Sequence, residues 1–168
     1  MSINNVEQLF LHDLKTVYYF ETRLQEQLVA MTEQAGNDEL AELFTRHQAE
    51  TLEHVERVEQ VFADMGKVPE IHEAASIQGL FKEAGHLEQD ITEPEMLDLS
   101  LINTALKMER TEITLYEGLI RMSERLDLDQ ETVQHLENNL EDEEQTLDRL
   151  KTMTGQNWLN QLIDRFIP

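Results

Sequence analysis

LFTRHQAETLEHVERVEQVFADM, Leu43 to Met65, is the stretch on which the fold turns. At 3.6 residues per turn it lays Leu43, His47, Glu50, His54, Val58, Val61 and Met65 along one helix face. Most of these are apolar, as a face packed against other helices requires. Its middle holds one carboxylate and two imidazoles. A bare carboxylate in a core is costly, so it must be protonated, paired or bound to a metal. The fold therefore depends on whether other helices carry matching groups at the same level.

Working outward, Asn4 or Asn5 caps a first helix over about 4–34. Its stripe is Phe10, Leu14, Val17, Glu21, Leu24, Leu28 and Met31, with Glu21 interrupting an apolar face. Gly36-Asn37-Asp38 is a turn carrying a C-cap glycine and a new N-cap, and the second helix runs over about 38–65. Residues 70 to 93 are too long for a tight hairpin. A weaker pattern of Ala75, Leu80, Ala84 and Leu87 predicts a short helix over about 74–88. Pro94, at the first helical position, opens a third long helix over about 94–126, with the stripe Ile102, Ala105, Glu109, Glu112, Tyr116 and Leu119. Asp129 caps a fourth, over about 129–153, with Leu136, Leu140, Glu143, Leu147 and Leu150 facing in. Trp158, Leu159, Leu162, Ile163, Phe166 and Ile167 predict an amphipathic helix over about 156–166, covering the bundle end or a partner subunit.

The 168 residues are read as one domain, and the dominance of helix-forming residues argues for an all-α chain. With no cysteine, disulfides, thiolate metal sites and a cysteine nucleophile are excluded. A net charge of −22 opposes binding to nucleic acid or to an anionic membrane. Either a salt-rich cytoplasm or ordinary acidity for solubility accounts for it. No signal peptide and no bilayer-spanning apolar run is recognised, so a soluble cytoplasmic protein is expected.

The helices form an internal repeat. Glu21 and Glu50 each stand about 15 residues from the Gly36 turn, and Glu112 and Glu143 about as far from Asp127. Each pair is thus level across its antiparallel hairpin. Overlaying the hairpins places Glu21 on Glu112 and Glu50 on Glu143. Two hairpins joined by a long crossover make a four-helix bundle with an approximate twofold axis, its carboxylates meeting near the middle. Unpaired, such carboxylates repel strongly, and no Lys or Arg lies on these stripes. Metal ions can neutralise them, as in bundles where one Glu from each of two helices joins Glu-x-x-His from each of the other two. Oxygen-rich ligation suits iron or manganese. The pattern is partly met: Glu53 stands three residues after Glu50 and His54 four, while no His follows Glu143 at either spacing. The third helix supplies a second acid in Glu109-x-x-Glu112.

The expected metal ligands are Glu21, Glu50, Glu53, His54, Glu109, Glu112 and Glu143. Glu21 and Glu112 are terminal or bridging, Glu50 and Glu143 bridge, and Glu109, Glu53 or His54 completes one side. His47 is read as a hydrogen-bonding neighbour of the site. Tyr18 and Tyr116 are core aromatics able to reach a ligand carboxylate. His12, His72, His86 and His135 lie off the level and receive no role.

Five segments carry a family resemblance: Val17–Leu24 (VYYFETRL), His47–Thr51 (HQAET) with His54–Val58 (HVERV), Ile77–Leu80 (IQGL) with Glu83 and Ala84, Met108–Tyr116 (MERTEITLY), and Leu140–Glu144 (LEDEE). In order and spacing, up to about Thr154, they resemble the YciE/YciF-type stress proteins of the ferritin-like superfamily. The resemblance implies a ferritin-like up-down four-helix bundle with a short helix in its long crossover. It also implies a homodimer and a rubrerythrin-like dinuclear metal centre. Glu21, Glu50, Glu109, Glu112 and Glu143 match the family's inward acids. Leu147 departs from the pattern, since relatives can carry an acid there.

Two readings follow. The first is a carboxylate protein holding two iron or manganese ions and reacting with O2 or peroxide, as a ferroxidase-like or peroxide-consuming stress protein. The second is a non-catalytic dimeric stress or interaction protein whose metal site is structural or empty. An iron-storage cage is weaker, since no sequence feature requires a closed shell of subunits.

Overall fold

The computed structural model describes residues 3–155, 160 and 163–165. Five helices follow one another: α1 (Val6–Gln34), α2 (Asp38–Asp64), α3 (Ala75–Asp90), α4 (Pro94–Leu126) and α5 (Gln130–Thr154), and the described residues include no strand. The starts of α1 and α2 are set by side-chain caps that satisfy otherwise orphaned amides, whereas Asp129 precedes α5 without the capping bond expected of it. Asn5 accepts from the Gln8 N–H at 2.8 Å, and Asn37 from the Leu40 N–H at 3.0 Å. Pro94 opens α4, and Asp127, at φ 52° in the left-handed region, ends it. The expected helix over 156–166 falls mostly outside the described residues. Residues 160 and 163–165 are helical, and Arg165 pairs with Glu95 of α4 at 2.7 Å.

Two hydrogen bonds orient the long helices. The Gly36 N–H donates to Asp98 at 2.7 Å, tying the end of α1 to the start of α4. Thr132 donates to Asp64 at 2.9 Å, tying the start of α5 to the end of α2. Hence α1 and α5 run one way, and α2 and α4 the other. Each long helix packs antiparallel against two neighbours, α1 against α2 and α4, and α5 against α4 and α2. Because α2 ends opposite the point where α4 begins, the chain must cross the length of the bundle. The segment containing α3 does so, packed on α4. It sends Ile77, Phe81 and Ala84 into the core, with Phe81 edge-on to Phe20 at 5.3 Å.

The apolar core falls into two clusters. One surrounds Phe20, Leu24, Phe44, Phe81, Ile102 and Leu150, and the other Phe10, Leu14, Val58, Phe62, Leu119 and Leu136. Between them lies a layer of buried polar side chains from all four long helices. The expected stripes of α1 and α4 are buried throughout. The face of α2 is turned slightly from the expected one. Its buried positions are Leu40, Phe44, His47, Thr51, His54, Val58, Val61 and Phe62, and all but Phe62 follow a strict alternation of four and three steps. That alternation passes through Thr51, leaving Glu50 at the edge. In α5 the same alternation runs through Thr132, Leu136, Asn139, Glu143, Thr146, Leu150 and Met153. Superposing the two phases sets Thr51, and not Glu50, on Glu143, which shifts the internal repeat by one residue. The physical reason is that Phe44 and Phe62 bury more apolar area than Leu43 and Met65, and they turn the helix inward on their side.

Candidate metal centre

Each side chain of the polar layer arrives from a helix whose apolar neighbours fix its rotation. Glu21 of α1 is held by Val17 and Leu24, Glu109 and Glu112 of α4 by Ala105, Met108 and Tyr116, and Glu143 of α5 by Leu136 and Leu150, all buried. From α2 come two imidazoles, His47 and His54, a full two turns apart, each at most 2 % exposed. One ligand atom from each of His47, Glu109, Glu112 and Glu143 lies within 4.8 Å of the others, and the same holds for Glu21, His54 and Glu143. Glu143 belongs to both groups, so the two sets form adjacent pockets of one layer.

The distances are those of donors converging on shared space. His47 Nε2 lies 3.2 Å from Glu109 and 3.9 Å from Glu143. His54 Nδ1 lies 2.9 Å from Glu143 and 3.5 Å from Glu21. These approaches lack hydrogen-bond angles. Among the described residues, Glu21 Oε2, Glu109 Oε2, both oxygens of Glu112 and Glu143, and all four ring nitrogens of His47 and His54 have no hydrogen-bond partner. Among the described residues outside this layer, only Ser100 Oγ shares that condition. Buried polar atoms are normally paired, and each one left bare costs about 1–3 kcal/mol. Ten in one layer are consistent with a site whose complement is a pair of cations. The donor set of carboxylates and two imidazoles suits iron or manganese.

The electrostatics express the same strain. Burial, then the charges of Glu143, Glu21 and Glu109, push the Glu112 carboxyl well above the usual range. Burial and the Glu109 charge lift Glu143 to about 7, against the opposing pull of His54 and His47. Burial alone would lower the two imidazoles, but Glu109 beside His47 and Glu21 beside His54 outweigh it and raise both well above normal. Without metal, protons take the place of cations.

Around the layer stands a polar frame. The Tyr116 hydroxyl donates to Glu21, and Asn139 donates to that hydroxyl at 2.9 Å and to the His54 carbonyl at 3.2 Å. Burial and the Glu21 charge hold the Tyr116 hydroxyl well above its ordinary pKa, so it remains a donor. Arg57 donates to Asn139 at 3.0 Å and to Asp142 at 2.6 Å.

Of the seven residues expected as ligands, the structure gathers Glu21, His54, Glu109, Glu112 and Glu143 and leaves out Glu50 and Glu53. Glu53 is 66 % exposed and pairs with Arg57 at 2.9 Å on the helix surface. Glu50 is 24 % exposed and accepts from Arg149 at 3.0 and 3.3 Å, and from Thr146 at 3.3 Å. Arg149 is off every core stripe, and its reach supplies the neutralising cation that the stripes themselves lack. His47, expected beside the site, joins it, and its place on the strict alternation with Thr51 and His54 is the signal for that. Tyr18 bonds Glu59 at 2.7 Å, away from the layer, while Tyr116 lies within it.

A long-crossover bundle of four antiparallel-packed helices, with a buried carboxylate–imidazole layer at mid-height, is a ferritin-like protein with a candidate metal centre. The chain belongs to the YciE/YciF-type family described as a domain of unknown function, DUF892, which matches residues 5–163. It is 28 % identical to protein YciF of Escherichia coli strain K12 over 147 residues, spanning 87 % of this chain and 88 % of that protein. Its fold matches the solved structure of the Escherichia coli stress protein YciF with a TM-score of 0.84. That alignment has 27 % identity and covers 90 % of this chain and 95 % of that one. It also matches YcfI from Rhodopseudomonas palustris with a TM-score of 0.86 and 34 % identity, covering 90 % and 96 %.

Proposed function

We propose that this protein holds two iron or manganese ions in the layer and acts on O2 or peroxide, as a ferroxidase-like or peroxide-consuming stress protein. The observation that carries the reading is the set of ten unpartnered buried donor atoms in two groups joined by Glu143. His47, Glu109, Glu112 and Glu143 would hold one ion and Glu21, His54 and Glu143 the other, Glu143 being common to both groups. Bound there, the ions supply the redox chemistry that no side chain of the layer has. The protein's own part is geometric and electrostatic. Glu112 and Glu143 give up their protons on loading, Tyr116 and Asn139 orient Glu21, and the apolar clusters above and below keep bulk water out. The near-complete burial of every inward group favours reactants as small as O2 or peroxide. The protein is further proposed to be a cytoplasmic homodimer. Its likeness to a stress protein supports the physiological setting, and no described helix is long and apolar enough to cross a membrane.

The test is elemental analysis after anaerobic loading with Fe(II) or Mn(II), followed by stopped-flow mixing with O2 and with peroxide. About two ions per chain are expected, falling to at most one in Glu143→Gln, with oxidation rates following occupancy. A second reading is a structural metal that only stabilises the bundle, and the same burial supports it. It prevails if a chelator lowers the melting temperature while the loaded protein consumes neither oxidant.

A further inference from the structure

Each imidazole of the layer has one nitrogen facing inward and the other facing a carboxylate held by an arginine. In His54, Nδ1 faces Glu143 and Glu21, while Nε2 lies 3.4 Å from Asp142. Asp142 is gripped by Arg57 at 2.6 Å. In His47 the sense is reversed. Nε2 faces Glu109 and Glu143, while Nδ1 lies 3.8 Å from Glu50, which Arg149 holds at 3.0 Å.

A carboxylate that accepts the outer N–H of a ligating histidine leaves the lone pair on the inner nitrogen and fixes the ring. At 3.4 and 3.8 Å, Asp142 and Glu50 stand beside the outer nitrogens without forming that bond here, and a small turn of either ring would make it. The geometry points to Asp142 and Glu50 as positioning residues that impose opposite tautomers, so that His54 binds metal through Nδ1 and His47 through Nε2. The arginines hold both carboxylates pointed at their rings, Arg57 on Asp142 at 2.6 Å and Arg149 on Glu50 at 3.0 Å. The inference rests on the proposed metal centre and deepens it. Glu50, matched by resemblance to an inward acid, acts through His47 and not on the metal.

The helix geometry explains the asymmetry. Both rings sit on α2, two turns apart. One outer carboxylate, Glu50, comes from α2 itself, one turn beyond His47, and the other, Asp142, comes across from α5. The outer partners thus approach the two rings from different sides.

The test uses full-length protein labelled with 15N-histidine and loaded with Zn(II), a diamagnetic probe. Long-range 1H–15N correlation spectra identify the metal-bound nitrogen of each ring. The expected result is Nδ1 bound in His54 and Nε2 in His47. Asp142→Ala and Glu50→Ala should each weaken Zn(II) binding by about 10–100-fold. Each should mix or invert the bound nitrogen of its own ring only, with unchanged far-UV circular dichroism. Asp142→Glu should recover the wild-type spectrum in part. Binding of His54 through Nε2 in the wild type overturns the inference. So does a pair of variants that keep both affinity and tautomers, or loss of an ion in Glu50→Ala with the His47 nitrogen unchanged. Should the wild type bind no Zn(II), Fe(II) or Mn(II), the metal centre itself fails, an outcome distinct from these.

Discussion

Glu112 shows most clearly what a single residue costs here. It is 1 % exposed, neither of its oxygens has a hydrogen-bond partner, and three further carboxylates surround it. Isosteric Gln keeps that position neutral at every pH, with no proton to hold, and opens no cavity. Glu112→Gln is therefore expected to stabilise the metal-free protein at pH 8 by about 1–2 kcal/mol. It should also reduce the gain in melting temperature on metal loading. Calorimetry with chelator and with Mn(II) reads both effects, and destabilisation of the metal-free form would falsify this account of the layer. Tyr116 has the opposite sign. Tyr116→Phe removes the donor to Glu21 and the acceptor for Asn139. A loss of about 1–3 kcal/mol is expected, measured by urea unfolding of chelated protein. Its hydroxyl was recognisable beforehand only as a core aromatic able to reach a ligand, because contact with Glu21 depends on how α4 lies against α1.

At the scale of the element, helix existence and ends followed from local chemistry. Asn5, Asn37 and Pro94 stand where amides need caps or can be dispensed with, and the helices begin there. Asn37→Ala should cost about 1 kcal/mol through loss of the bond to Leu40 N–H, read as a shift in the urea midpoint at constant slope. Rotation was less legible. In α1 the apolar residues flanking Glu21 leave a single phase. In α2, however, Leu43 and Phe44 are both apolar, as are Val61, Phe62 and Met65, so two phases one residue apart compete. The choice decides whether Glu50 or Thr51 faces in. Glu50 and Glu53 then turn to Arg149 and Arg57, residues that no single helix pattern links to them.

For the whole molecule, protons and salt are the controlling variables. Glu143 is raised from 4.5 to about 7, and Glu112, His47 and His54 are also raised. A raised pKa means that folding takes up a proton. This stabilisation is complete below the unfolded value and fades as pH climbs through the folded one. The metal-free protein should therefore lose stability from about pH 4.5 through about 7 on account of Glu143, and further above 6.5 as the histidines titrate. Metal binding requires those protons to leave, so the gap in melting temperature between loaded and chelated protein should widen from pH 5 to pH 8. A constant gap would count against proton–metal exchange in the layer. With 35 acidic and 13 basic residues, self-repulsion should also make the melting temperature rise as salt goes from 10 mM to 1 M. The sequence alone determined an all-α chain, its long helices with their caps, the crossover, and a level band of acids in the core. It did so because helix propensity, capping and the 3.6-residue period are local properties. Tertiary packing decided which polar residues meet: His47 within the layer, Glu50 and Glu53 outside it, and arginines from neighbouring faces holding the outer carboxylates. A rotation of one residue step moves a side chain by about 100° around the helix axis, and only the competition of bulky side chains for the core settles it.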